Sequence, residues 1–298
     1  MAGRQAALIG MVAETHVHVG VGQASGALDL PIARERATHW PFIPGSGMKG
    51  GMRVWAREHV DAKAVRRLFG TELSASLGQD DGSLTQAGSL VWSDAKLILL
   101  PVRSTSGSYR FVTSASLINR LRRDKRRVGL ATPEPDLPDV DAGCYDGADG
   151  VGGWLGLEER EFKQRNELLP ESIEEITPLV IGTLSAAHVA CRMVVISDND
   201  MSWFARFSLP IMSRNRLDEN KAAASQALWN EEALAPDTVM YGLVADRTLT
   251  SEGTAGGVAE VCGAMVDGGG YVQLGGNETI GQGWFSILPL EADGESDG

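Results

Sequence analysis

Cysteine is scarce in this chain. Cys144, Cys191 and Cys262 are far apart, odd in number and never in a Cys-x-x-Cys pair. That excludes a disulfide framework and a cysteine-built zinc site. Long apolar runs are missing as well, since nothing approaches the ~20 residues that span a bilayer. The N-terminal stretch Ala6–Val12 is soon interrupted by Glu14, His16 and His18, which makes a poor signal peptide. These absences predict a cytoplasmic protein with no membrane partner. Complete phosphate-binding fingerprints are also lacking. Gly45 and Gly50 have the G-x-x-x-x-G spacing, but Gly51 stands where a Walker lysine belongs, and Gly20-Val21-Gly22 runs into Gln, Ala and Ser. No nucleophile elbow or Ser-His-Asp order is present. Nucleotide-dependent enzymes and serine hydrolases therefore fall behind other readings.

Glycine, by contrast, is abundant, with 36 among 298 residues, clustered at 20–26, 45–51, 143–156, 253–263 and 268–283. Such clusters predict loops with unusual backbone angles, or loops that let another backbone come close. Apolar residues make up 43% and charged residues 22%, enough for a real core in one large domain or two small ones. The net charge of −12 hides a division. Residues 1–133 carry a net +8 and residues 134–298 a net −20. The positive excess lies in Arg34–Arg67 and Arg103–Arg127. Charge runs of this kind are usually solvated helix faces. The sharper alternative is a track for a polyanion on one side and an acidic face on the other, which also suits stacking of copies.

Ala6–Val19 reads as a strand, followed by a small-residue loop to Asp29. Trp40–Pro44 is stiff and extended, and Gly45 opens a helix through about His59. Leu90–Val102 and Tyr109–Thr113 read as strands, and Ser114–Arg123 as a helix. Residues 131–153 form a Pro/Asp/Gly-rich insert, with Trp154–Phe162 as one arm of a projecting hairpin. His188–Ser197 is a strand whose Ser197-Asp198-Asn199-Asp200 end caps a helix through Leu209. Thr238–Ala245 and Gly270–Leu274 are further strands, and residues 291–298 an acidic tail. This order predicts an α+β fold with helices over one sheet face, consistent with ferredoxin-like βαββαβ units.

Several groups are candidates for chemistry. Gly45, Ser46 and Gly47 lead into a helix whose first turn holds Lys49, an arrangement suited to an anion, with Arg53 four residues on. The alternative is a tight connection with a solvated lysine. The stretch Gly275-Gly276-Asn277-Glu278-Thr279-Ile280-Gly281-Gln282-Gly283 is either a surface for a nucleic-acid strand or neighbouring loop, or a long turn between two strands. Asp29, close to Arg34 and Arg36, is either a surface aspartate or a carboxylate for acid–base or metal-assisted attack on a phosphodiester. His16 and His18 share one strand face, but no third His or Cys completes a metal site.

The ordered set His18-Val19-Gly20-Val21-Gly22, Leu28-Asp29-Leu30-Pro31-Ile32-Ala33-Arg34-Glu35, Pro41-Phe42-Ile43-Pro44-Gly45-Ser46-Gly47-Met48-Lys49-Gly50, Asn230–Pro236 and Gly275–Gly283 resembles the RAMP superfamily of CRISPR proteins. Within it, the set resembles the repeated backbone subunits of type III-B Cmr effector complexes. The matches are collinear across nearly the whole chain. The resemblance implies one RAMP domain over residues 1–298, an RRM/ferredoxin-like palm with a glycine-rich loop, and an inserted thumb hairpin, placed at about 131–185. It implies an endoribonuclease that cuts target RNA on a guide. Asp29 would be catalytic and would hold a divalent metal ion, Mg or Mn, and His18, Glu231 and Glu232 would be further candidates. Gly45, Ser46, Gly47, Lys49 and Arg53, with Gly275, Gly276, Asn277, Gly281 and Gly283, would contact RNA. The implied partners are the guide CRISPR RNA, target RNA, further copies of the chain in a helical filament and other Cmr subunits. The rival class is a non-catalytic RNA-binding scaffold.

Overall fold

The computed structural model describes residues 5–22, 28–71, 86–140, 143–146, 153–165, 170–217, 223–247, 256–268 and 270–290. In chain order its strands are β1 (Ala6–Ala13), β2 (Phe42–Ile43), β3 (Leu90–Trp92), β4 (Ala95–Arg103), β5 (Tyr109–Ser114), β6 (Tyr145–Asp146), β7 (Trp154–Leu157), β8 (Arg160–Lys163), β9 (Met193–Ile196), β10 (Ile211–Leu217), β11 (Ala223–Glu232), β12 (Val239–Asp246), β13 (Tyr271–Gln273) and β14 (Trp284–Leu290). Its helices are α1 (Gly45–His59), α2 (Ala62–Phe69), α3 (Ala115–Arg127), α4 (Pro170–Ile176), α5 (Ala186–Ala190), α6 (Asp198–Phe207) and α7 (Gly257–Asp267).

The palm is a βαββαβ unit built from β1, α1, β4, β12, α7 and β14. Its strands lie side by side in the order β14-β1-β12-β4, all antiparallel. This is the ferredoxin-like arrangement expected from the alternation of strands and helices. Seven of the eight residues of β1 are buried, so the strand is covered on both faces rather than on one. Helix α7 packs on one side, and on the other the carbonyl of Leu179 comes so close to Gly10 that a side chain there would collide with it. Strand β4 belongs to two ladders. Ala95–Leu99 runs beside β2 and β12, while Leu100–Arg103 pairs with β5, which continues in parallel to β9.

Everything from residue 104 to 238 is thus an insertion between two adjacent palm strands. In its part at 131–185, where a projecting thumb was expected, several of the described residues pack into the core, Val140, Cys144, Ile176, Leu179 and Val180 among them. Trp154–Phe162 does lie in a two-stranded hairpin, β7–β8, but Leu155, Leu157 and Phe162 are buried in the common core. The segment that stands off is β10–β11, a separate two-stranded sheet in which Ile211 and Leu228 are 62% and 73% exposed. Parts of the 131–185 insert, of the Gly20–Asp29 loop and of the 253–263 glycine cluster lie outside the described residues, as does the acidic tail at 291–298.

Other expectations shift in instructive ways. The strand expected at 188–197 begins only at Met193. Before it, Ser185 accepts a hydrogen bond from the His188 N–H and starts α5. Ser197 caps α6 as expected, accepting from the Asp200 N–H at 3.1 Å, a contact worth about 1 kcal/mol. Helix α7 occupies part of the glycine cluster that had read as a loop. Gly257 lies where a side chain would collide with Asp246, so glycine serves close packing there.

Candidate nucleic-acid interface and cleavage site

Asp29 follows the small-residue loop and lies half-buried against the end of β11. Its Oδ2 accepts a hydrogen bond from the Asn230 N–H at 2.8 Å. The chain on either side is pinned there too: the Leu30 N–H donates to the Asn230 carbonyl at 3.1 Å, and the Glu232 N–H donates to the Leu30 carbonyl at 3.0 Å. A carboxylate read from sequence as either a surface group or a working one is therefore rigidly held by one oxygen. Its Oδ1 has no partner among the described residues.

Glu231 and Glu232 flank this site, but both are buried, and their carboxylates are occupied. Glu232 accepts from the Ile32 N–H at 3.1 Å and from the Arg34 guanidinium. Arg34 continues to the carbonyls of Ala205 and His39. Glu231, 2% exposed, faces Arg214 Nε at 2.6 Å, His18 Nδ1 at 3.5 Å and the Asn277 side-chain amide. His18 Nδ1 also meets the Glu232 carbonyl at 2.7 Å. His18 thus meets Glu231 and Glu232, and these two follow Asn230, the residue whose N–H holds Asp29. Both carboxylates are occupied, Glu231 by Arg214 and the Asn277 amide, Glu232 by Arg34 and the Ile32 N–H.

The glycine-rich loop at 275–283 joins β13 to β14 through a short 3-10 turn, the long-turn alternative. The Gly276 N–H donates to the His18 carbonyl and the Gly283 N–H to the His16 carbonyl, both at 2.9 Å. Gly275 has φ 91°, and a side chain there would strike the His18 carbonyl. The glycine is needed for contact with the 16–20 segment, and Asn277 of the loop reaches the Glu231 carboxylate. Gly281 faces open space.

Helix α1 begins at Gly45 with no side-chain cap from its own N-cap residue, Pro44. Instead, the Asp94 carboxylate accepts from the Gly45 N–H at 2.7 Å. Ser46, Gly47 and Gly50 are exposed, and a side chain at Gly50 would meet nothing. Lys49 lies on the same turn. Partial burial, then the neighbouring Arg53 and Arg247, pull its ammonium below the usual lysine range. This cation is electrostatically crowded, and a phosphate beside it relieves that crowding. Arg53, expected to contact RNA, has one guanidinium nitrogen on the carbonyls of Phe69 and Gly70 at the end of α2. Asp94→Asn removes a negative charge from the helix start. We expect it to tighten binding of a single-stranded RNA by about fivefold, near 1 kcal/mol. Titration of the assembled subunit with labelled RNA at fixed salt measures this, and unchanged affinity would place the RNA backbone elsewhere.

The basic stretch Arg103–Arg127 is not a free polyanion track. Arg103 pairs with Glu158, Arg120 with Glu35, Arg122 with Glu175, Arg126 with Glu134 and Arg127 with Asp124. Arg110 holds the Cys191 carbonyl and Lys125 the Glu175 carbonyl. Arg103, Arg122 and Arg126 in this way bind the acidic second half of the chain to its basic first half, while Arg120 and Arg127 pair within the first half. The division of charge is in large part internal.

A βαββαβ palm with a glycine-rich loop against its first strand, and an insertion carrying a projecting hairpin, defines a class of RNA-handling folds. Residues 11–286 match the profile of the RAMP superfamily, and the chain belongs to that superfamily. It is 29% identical over 293 residues to the CRISPR system Cmr endoribonuclease Cmr4 of Pyrococcus furiosus, covering 96% of each chain. Its fold is similar to that of the crystal structure of oligomeric Cmr4 from Pyrococcus furiosus, with a TM-score of 0.74 and 25% identity, covering 97% of this chain and 99% of that one. A chain in the cryo-EM structure of the type III-B Cmr-beta complex bound to cognate target RNA shares the fold at a TM-score of 0.71 and 19% identity, covering 95% of this chain and 96% of the other. Among the described residues no helix is long and apolar enough to cross a membrane.

Proposed function

We propose that the chain is a repeated backbone subunit of a type III-B guide-RNA effector complex in CRISPR defence and that it cleaves target RNA. Its partners are the guide CRISPR RNA, the target RNA, further copies of itself and other Cmr subunits. The observation that carries the cleavage reading is Asp29: a carboxylate fixed through one oxygen, with the other open, beside a glycine-rich loop and at the root of a projecting hairpin.

The reaction is an in-line transesterification. The 2′-OH of the scissile nucleotide attacks the adjacent phosphorus, the P–O5′ bond breaks, and the products carry a 2′,3′-cyclic phosphate and a 5′-OH. Asp29 Oδ1 accepts the 2′-OH proton or orients the ribose. The hairpin β10–β11 displaces the neighbouring base so that attacking oxygen, phosphorus and leaving oxygen align. Lys49 and the exposed start of α1 hold a backbone phosphate.

Among the described residues no group of three His, Cys, Asp or Glu side chains forms a metal cage. A hard divalent cation such as Mg or Mn commonly takes one carboxylate and completes its shell on substrate phosphates and water. Asp29 suits that mode, and such an ion would offset charge on the phosphorane-like transition state.

The test is cleavage of a guide-complementary RNA by the reconstituted complex, wild type against Asp29→Ala, with binding measured in parallel. Loss of cutting by about a hundredfold or more with binding retained supports the reading. Equal cutting moves the nuclease to another group. Binding without cutting by either form supports the scaffold alternative. A titration with EDTA and re-addition of Mg or Mn tests the ion separately.

A further inference from the structure

The carboxylate of Glu231 is where three pieces of the chain meet. Arg214 reaches it from β10 of the projecting hairpin, Asn277 from the glycine-rich loop and His18 from the segment after β1. The residues on either side hold the catalytic segment: the Asn230 N–H binds Asp29 Oδ2, and the Glu232 N–H binds the Leu30 carbonyl. Asn277 is braced in turn by Gln282 at 2.9 Å, and the Gln282 amide reaches Met212 Sδ on β10. Arg214 on β10 and Glu231 on β11 thus face each other across the hairpin itself, with the Glu231 end buried, and the other two pieces attach to its β11 side: the loop through Asn277 to the Glu231 carboxylate, the Asp29 segment through the backbone of Asn230 and Glu232.

We infer that Arg214, through Glu231 and Asn277, is a positioning residue that sets Asp29 according to the seating of the hairpin and the glycine-rich loop. Glu231 is then the hub of this device and not a proton carrier. The geometry gives the device a purpose. RNA displaced by the hairpin and RNA lying on the loop press on two arms of one buried ion pair, and the third arm carries Asp29. A buried pair is weak as a source of stability but strict about registry, because a carboxylate left alone out of water is costly. Coupling between elements is what such a pair supplies. For its chemistry this inference rests on the cleavage reading above.

The experiment uses the reconstituted guide-RNA complex under single-turnover conditions, with Arg214→Ala, Arg214→Lys, Glu231→Gln and the double variant Arg214→Gln/Glu231→Gln. Arg214→Ala is expected to slow cleavage about tenfold to a hundredfold, with target affinity unchanged, as a misplaced reacting group does. Arg214→Lys restores part of the rate by returning a cation. The double variant removes both charges and cuts faster than either Arg214→Ala or Glu231→Gln, because no buried charge is left alone. A double variant as slow as Glu231→Gln would make Glu231 a proton carrier and overturn the inference. So would an Arg214→Ala complex that cuts like the wild type.

Amide hydrogen exchange on the same complexes decides the coupling without cleavage. Peptides covering 28–34 and 275–283 should exchange faster together in Arg214→Ala. A change confined to 211–217 would overturn the inference. If the wild-type complex does not cut while the exchange is coupled, the cleavage reading fails and the mechanical link stands.

Discussion

A target RNA with one 2′-deoxyribose at a scissile nucleotide should bind the assembled complex as the all-ribose strand does, and lose cutting at that bond by at least about a thousandfold. The other scissile bonds of the same strand should be cut at their ordinary rate. The expectation follows from where the nucleophile comes from. Among the described residues no group of three His, Cys, Asp or Glu side chains gathers here; the site offers Asp29, whose Oδ2 is held by the Asn230 N–H and whose Oδ1 is left open. A lone carboxylate is a sufficient base for a hydroxyl already attached next to the phosphorus, because the intramolecular nucleophile needs only orientation. It is a poor generator of free hydroxide. Denaturing gels with end-group analysis read the outcome. A 2′,3′-cyclic phosphate at every ribose site and none at the deoxy site agrees with the mechanism. Undiminished cutting at the deoxy site would mean hydrolysis by water, and would assign Asp29 to the activation of that water.

The palm was legible because its elements carry their own signals. Gly45–His59 reads as a helix with an apolar face of Met48, Met52, Val54 and Trp55; Met48, Met52 and Trp55 are indeed buried, whereas Val54 is 56% exposed. Asp29, His18, Glu231 and Glu232 were singled out by resemblance, and the fold brings them into one cluster. What each does there was not legible. Whether a carboxylate is open or occupied depends on partners far away in the chain: Glu231 meets Arg214, Asn277 and His18, and Glu232 meets Arg34. The hairpin β10–β11 was missed for a related reason. Its residues Ser213, Arg214, Asn215 and Arg216 are all polar, so this stretch carries neither a helical period nor the apolar–polar alternation of a half-buried strand. Helix α2 did leave a signal, since Asp61 accepts from the Lys63 and Ala64 N–H groups as an N-cap. These two bonds hold its carboxyl below the usual range. The basic run at 103–127 misled in the opposite direction, because composition counts charges without saying which of them face each other.

That internal pairing leads to the largest expected stability effect. Arg122 is a fully buried cation on α3, and its guanidinium meets both oxygens of Glu175 on α4, Nε at 2.9 and 3.0 Å and Nη2 at 2.6 Å, while Nη1 donates to the Pro135 carbonyl at 2.7 Å. Lys125 adds a bond to the Glu175 carbonyl at 2.8 Å. The pair therefore clamps two parts of the 131–185 segment, at Pro135 and Glu175, to α3. Arg122→Ala leaves the Glu175 carboxylate out of water without its partner and opens a void the size of an arginine side chain. The expected loss is about 3–5 kcal/mol, or roughly a 10 °C fall in Tm for a domain of this size. Glu175→Ala should cost a similar amount, since it strands the guanidinium. The double variant Arg122→Met/Glu175→Leu removes both charges and keeps much of the volume, so it should be clearly more stable than either single variant. Thermal unfolding of the wild type, Arg122→Met, Glu175→Leu and the double variant, followed by circular dichroism, closes the cycle and measures the coupling directly. Additive losses would mean that the two side chains stabilise the insert independently. Recovery in the double variant would show that the pair chiefly fixes how the insert docks, with registry rather than net energy as its contribution.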